Sequence, residues 1–206
     1  MSSAAAPPAG SGLPELILAK VRDIPDYPQP GIVFKDITPL LADGSALTAV
    51  VAALAAGHGE SELPAGREES GRKEGGWREG GWGKIDKVVG IEARGFILAA
   101  PVACCLGAGF VPVRKQGKLP AATYAQSYQL EYGTATIEVH ADAFQPGERV
   151  LIVDDVLATG GTAAATASLV RRSGAEAVAV VVLLELGFLD GRARLPDLEV
   201  RSLLAV

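Results

Sequence analysis

Two adjacent carboxylates, Asp154 and Asp155, close the aliphatic run Val150-Leu-Ile-Val153, and the segment Ala158-Thr-Gly-Gly-Thr162 follows almost at once. Four consecutive aliphatic residues suit a strand buried on both faces. Carboxylates at the carboxyl end of such a strand lie where open α/β sheets bind ligands. Two glycines leading into a helix permit positive φ and let backbone N–H groups approach an anion closely. Ala158, Thr159, Gly160, Gly161 and Thr162 therefore suit a phosphate monoester, with the threonine hydroxyls as further donors. Asp154 and Asp155 are badly placed for phosphate but well placed for hydroxyl groups or a metal. A phosphate with hydroxyls nearby describes a phosphorylated sugar. The plainer alternative is a strand-to-helix loop that uses glycine for its turn and Thr162 as a cap. The aliphatic run, the acidic pair and Thr-Gly-Gly-Thr in one register weigh against it.

Positive charge must be concentrated locally if the ligand is anionic, because the 206-residue chain carries a net charge of -5. Arg94, in a Glu-Ala-Arg-Gly turn after a second aliphatic strand, can grip pyrophosphate bidentately. Arg114, Lys115 and Lys118 form a second cationic group; a solvated face is the ordinary fate of such a run. The overall acidity, with a pI near 5.1, argues against a nucleic-acid partner. His58 and His140 have no ligand partner at metal spacing, so no protein metal site is expected. Neither a Gly-x4-Gly-Lys-Ser/Thr nor a Gly-x-Gly-x2-Gly is present, which removes the usual grounds for a P-loop or dinucleotide enzyme.

The elements that must hold these groups alternate. Helices are expected at 13–22, 45–56, 95–106 and 162–173, and strands at 85–91, 110–114, 150–153 and 177–186. An exposed hairpin is expected around Thr134, Thr136, Glu138 and His140. Buried strands alternating with helices predict an α/β fold with a mostly parallel central sheet covered on both faces. Residues 1–12 and a Gly/Glu/Arg-rich stretch at about 59–83 have compositions that bury little. Both are expected to be disordered, the second as an insertion interrupting a single domain over 13–206. Trp77 and Trp82 inside it have no account from sequence. No apolar run reaches membrane-spanning length, the longest being the 8 residues 177–184, and no secretory leader is legible. Adjacent Cys104 and Cys105 cannot form an ordinary disulfide and point to a reducing, cytoplasmic setting.

The run 150–162 resembles the phosphoribosyl-pyrophosphate (PRPP) motif of the type I phosphoribosyltransferases. Four further stretches narrow the resemblance to the members that use adenine: Pro30-Gly-Ile-Val-Phe-Lys-Asp-Ile-Thr-Pro39, Gly90-Ile-Glu-Ala-Arg-Gly-Phe96, Val113-Arg-Lys-Gln-Gly-Lys-Leu-Pro120 and Ser127-Tyr-Gln-Leu-Glu-Tyr-Gly133. The resemblance implies a parallel sheet with a small hood from N- and C-terminal segments and a flexible loop. It implies a purine-salvage transferase joining adenine to PRPP, giving AMP and pyrophosphate. Asp154 and Asp155 would hold the ribose hydroxyls and residues 158–162 the 5′-phosphate. Arg94, Arg114, Lys115, Lys118 and Tyr132 would meet PRPP, with a non-proline cis peptide implied at Glu92–Ala93. Glu131 would act as acid/base at adenine. Val33, Phe34, Lys35 and Leu186 would form the adenine site, although many relatives carry Arg where Lys35 stands. Mg2+ held mainly by PRPP, pyrophosphate and water, and a homodimer, are implied in the same way. On the residues alone, Phe34 and Leu186 read equally as core and Glu131 as a surface residue. Two rivals stay open: another base as acceptor, such as xanthine, hypoxanthine or orotate, and a non-enzymatic sensor that keeps the phosphate site.

Overall fold

The computed structural model describes residues 12–57, 82–129 and 133–206. A seven-stranded sheet runs through it, built from β3 (Lys87–Ile91), β4 (Gly109–Lys115), β5 (Thr123–Gln129), β6 (Thr134–His140), β7 (Arg149–Leu157), β8 (Glu176–Glu185) and β9 (Glu199–Ala205). Their order is β5-β6-β4-β3-β7-β8-β9. β4, β3, β7, β8 and β9 are parallel, and the β5–β6 hairpin closes one edge antiparallel. A two-stranded antiparallel ribbon of β1 (Arg22–Pro25) and β2 (Val33–Asp36) stands apart. The expected α/β class and mostly parallel sheet are found.

Helices α1 (Leu13–Lys20), α2 (Thr38–Leu41), α3 (Gly44–Ala56) and α4 (Arg94–Leu106) supply or border one core, and α5 (Gly161–Arg172) covers the other face. The strand pleat sorts β7 between them. Leu151 and Val153 enter the first core, Val150 and Ile152 the second, and all four are fully buried. Burial of such side chains contributes about 1.5–3 kcal/mol each. Local signals set the helix ends. The Asp43 carboxylate accepts from the Ser45 and Ala46 amides at the start of α3, and Gly57, at φ 70°, turns the chain out of it.

Some expected boundaries move. The helix predicted over 13–22 stops at Lys20: Val21 is extended, and Arg22 opens β1 with its guanidinium on Asp36 at 2.5 Å. The strand expected at 85–91 begins at Lys87. The strand expected at 150–153 continues through Asp154 and Asp155 to Leu157, because β8 pairs with it that far. The hairpin is less exposed than predicted, since β6 lies between β5 and β4, burying Ile137, Glu138 and Val139. α2, β1, β2 and β9 were not foreseen as elements; β9 extends the main sheet at its edge.

Of the stretches 1–12 and about 59–83, expected to be disordered, all but Gly12, Trp82 and Gly83 lie outside the described residues. Trp82, at the end of the second stretch, does the opposite of what that composition suggested. It is buried, donates from its indole nitrogen to the Leu54 carbonyl at 3.3 Å, and is covered by the Arg201 guanidinium 4.6 Å from its ring. Trp77 and His58 fall outside the described residues. Among the described residues, no helix is long and apolar enough to cross a membrane.

Candidate active site

The chain leaves β3 for β4 on one side and later returns to β7 on the other, so strand order reverses between β3 and β7. Such a switch point opens a crevice at the carboxyl ends of the strands. The register shows how. β3 pairs with β7 only as far as Gly90 with Val153, whereas β7 runs on to Leu157 against β8. One edge of Asp154–Leu157 is thus released from the sheet, into a cleft of about 420 Å³, within the range of small-molecule sites.

Asp154 and Asp155 sit at its floor. The Asp155 amide donates to Asp154 Oδ1 at 2.9 Å. Arg94 Nε lies 2.6 Å from Asp155 Oδ2, yet no N–H of the guanidinium is aligned with that oxygen, which is buried and accepts no hydrogen bond. The pair attracts by charge and leaves an acceptor unused. Burial, then the neighbouring Asp155 charge, pushes the Asp154 carboxyl well above the usual range. Burial also raises Asp155, against the opposing pull of Arg94. Two desolvated carboxylates with an unused oxygen are what hydroxyl donors or a hard cation would relieve.

Arg94 opens α4 immediately after a cis Glu92–Ala93 peptide, the geometry implied by the resemblance. Its guanidinium carbon also stands 4.8 Å from the centroid of the Phe34 ring, which meets Tyr27 edge-on at 5.3 Å. Gly95 allows this crowding: a Cβ there would fall 2.6 Å from Asp154 Oδ1 and 3.1 Å from the Val153 carbonyl. Residues 158–162 line a smaller hollow that adjoins the cleft. Gly160, at φ 78°, turns into α5, and a Cβ on it would overlap the Gly191 carbonyl oxygen. Thr162 donates its hydroxyl proton to Tyr128 Oη at 3.0 Å.

A family model for the phosphoribosyl transferase domain matches residues 69–200. The adenine phosphoribosyltransferase of Acidothermus cellulolyticus is 59% identical over 97% of this chain and 99% of its own length. That of Thermobifida fusca is 59% identical over 93% of this chain and 96% of its own. This chain belongs to the adenine phosphoribosyltransferase family. The solved adenine phosphoribosyltransferase of Rhodothermus marinus superposes with a TM-score of 0.79 at 48% identity, covering 94% of this chain and 98% of that one. The Saccharomyces cerevisiae adenine phosphoribosyltransferase, solved with an imino-altritol bisphosphate and adenine, superposes at 0.78 with 33% identity over 93% and 98% of the two chains.

The adenine phosphoribosyltransferase motifs converge unevenly. Val33, Phe34, Lys35, Arg94, Lys115, Asp154, Asp155, Ala158, Thr162 and Leu186 line the cleft, and Thr159, Gly160 and Gly161 the adjoining hollow. Lys35 is held by Asp23, with Nζ 2.8 and 2.9 Å from its two oxygens. Arg114 and Lys118 line neither space. They close on Glu92, Lys118 through a short ion pair and Arg114 at 3.4 Å, while the Lys115 amide donates to the same carboxylate at 3.0 Å. Burial raises the Glu92 carboxyl, but Lys118 and the Lys115 amide outweigh it and leave it lowered. Glu131 and Tyr132 lie outside the described residues. Glu92, Gly95 and Tyr128 fall inside the quoted motifs 90–96 and 127–133, but sequence assigns them no side-chain role, because each acts through a partner distant in the chain.

Proposed function

We infer that this chain transfers the 5-phosphoribosyl group of PRPP to adenine, forming AMP and pyrophosphate. The observation that carries the reading is the buried, unused Asp155 oxygen beside Asp154, adjoining a glycine-rich helix N-terminus. That juxtaposition suits ribose hydroxyls on one side and a phosphate on the other. Adenine is supported by family membership and by the yeast relative solved with adenine.

In this reading Asp154 and Asp155 accept from the ribose hydroxyls, and residues 158–162 hold the 5′-phosphate. Arg94 covers the Phe34 face on which a purine would stack. Pyrophosphate, a stronger partner for guanidinium than a ring face, would draw Arg94 off and free the ring. The bond from ribose C1 to pyrophosphate then breaks as adenine nitrogen attacks C1, and the adenine proton leaves to Glu131. Leu186 and Val33 exclude water from the base; Lys115, with Arg114 and Lys118 after exchange from Glu92, balances the leaving charge. The described residues hold no cluster of three metal-ligating side chains, which fits a divalent ion carried mainly by PRPP, pyrophosphate and water oxygens. Mg2+ bound in that way would neutralise pyrophosphate charge. A homodimer is the working assembly, and the free thiols of Cys104 and Cys105 fit a reducing cytoplasm.

The test is AMP formation from PRPP with a panel of bases. Adenine should be preferred over hypoxanthine, xanthine and orotate. Preference for another base would move the assignment within the family, and tight PRPP binding without turnover would favour a sensor.

A further inference from the structure

β5 lies along α5 and is fastened to it at both ends of the helix. Near the C-terminal end, Arg172 donates to the Ala125 carbonyl at 3.2 Å and stacks on the Tyr124 ring at 5.2 Å. Midway, Ser168 donates to Gln126 Oε1 at 3.4 Å. At the N-terminal end the Tyr128 ring packs against Gly161, where a Cβ would stand 3.2 Å from Cδ2. There too the Thr162 hydroxyl meets Tyr128 Oη. Tyr128 also lines the cleft.

A threonine hydroxyl has one proton and two acceptor lone pairs. Thr162 cannot donate to Tyr128 and to a phosphate together. A phosphate on the 158–162 loop therefore reverses the pair: Tyr128 donates to Thr162, and Thr162 donates onward to the anion. Hydroxyls in series polarise one another, so the phenol strengthens the donor that touches the phosphate. We propose that Tyr128 is a positioning residue for the 5′-phosphate, acting through the Thr162 hydroxyl. The inference rests on the phosphoribosyl reading of the loop. It adds to that reading a residue from the neighbouring hairpin, held in register by Arg172 at the far end of the helix.

Tyr128→Phe keeps the ring over Gly161 and removes only the hydroxyl. KM for PRPP should rise about 5- to 10-fold, with ribose 5-phosphate binding weakened equally by calorimetry. KM for adenine and the thermal midpoint should stay at wild-type values. In a Thr162→Val background the Tyr128 change should add nothing, whereas in Thr162→Ser its effect should return. Unchanged donor KM in Tyr128→Phe, or losses that multiply in the double variant, would overturn the proposal while leaving the site reading intact. A wild-type protein that binds neither PRPP nor ribose 5-phosphate would overturn both.

Discussion

Neighbouring strands of the central sheet each carry acid toward their carboxyl ends, and the two sites are treated in opposite ways. At the end of β8, Glu185 is gripped by Arg192 through two contacts of 2.6 Å and accepts from Ser202 at 2.8 Å. Arg192, ahead of opposing burial, draws its carboxyl below the usual range. Toward the end of β7, Asp154 and Asp155 are crowded together, raised by burial, and left with an oxygen that has the Arg94 charge near it but accepts no hydrogen bond. One acid is satisfied by its own chain and reads as structure. The other pair has the Arg94 charge beside it, yet two crowded carboxylates and an oxygen without a hydrogen bond stay costly until further donors or charge arrive. Composition does not separate the two; the state of their hydrogen bonds does.

The contrast can be broken most severely at β7. Asp155→Asn should lower turnover by about 100-fold or more, since a carboxylate that positions a reacting sugar is lost, measured as steady-state AMP formation. Asp154→Asn should act similarly on turnover yet raise the thermal midpoint at neutral pH. The sign follows from the raised carboxyl: the unfolded chain ionises in the usual range while the folded one resists. Stability is therefore lost as pH rises through that window, and asparagine removes the loss. The gain should shrink to nothing under acid conditions; a midpoint gain equal at all pH values would contradict the assigned cause.

A smaller and opposite result is expected at β8. Arg192→Ala leaves Glu185 buried without its cation and should cost about 2 kcal/mol, reduced by the half-exposed position of the arginine, in denaturant unfolding. Turnover per folded molecule should fall far less than in Asp155→Asn. The smallest effect concerns Asp36, which Thr38 and Arg22 hold at about 2. Being lowered, it adds stability above the ordinary carboxylate range that disappears as pH falls toward 2. Melts of Asp36→Asn and wild type should differ near neutrality and converge in acid.

Much of the site was legible because it is local. An aliphatic strand, an acidic pair and a glycine-rich helix start lie within thirteen consecutive residues, 150–162, and the aliphatic run places the acids toward the carboxyl end of a strand, although pairing with β8 carries that strand on to Leu157. Arg94 was legible for the same reason. What escaped depends on contacts between distant residues. Trp82 sits in a stretch whose composition buries little, but Leu54 and Arg201 lie waiting for it. Arg114 and Lys118 were sound as a cationic cluster, yet nothing in their spacing announces that Glu92, more than twenty residues earlier, gathers them. β9 reads as a weak alternation because it is an edge strand, and only its pairing with β8 makes it part of the sheet.

The contact of Gly160 with Gly191 has a consequence for ancestry and engineering. A Cβ on Gly160 would overlap the Gly191 carbonyl, and one on Gly191 would overlap the Ala158 carbonyl. The familiar Thr-Gly-Gly-Thr signature is therefore half of a two-part joint whose other half lies some thirty residues downstream. Grafting the signature alone onto another parallel sheet would transplant a loop without its seat. Within a lineage, the two glycines should be gained and lost together.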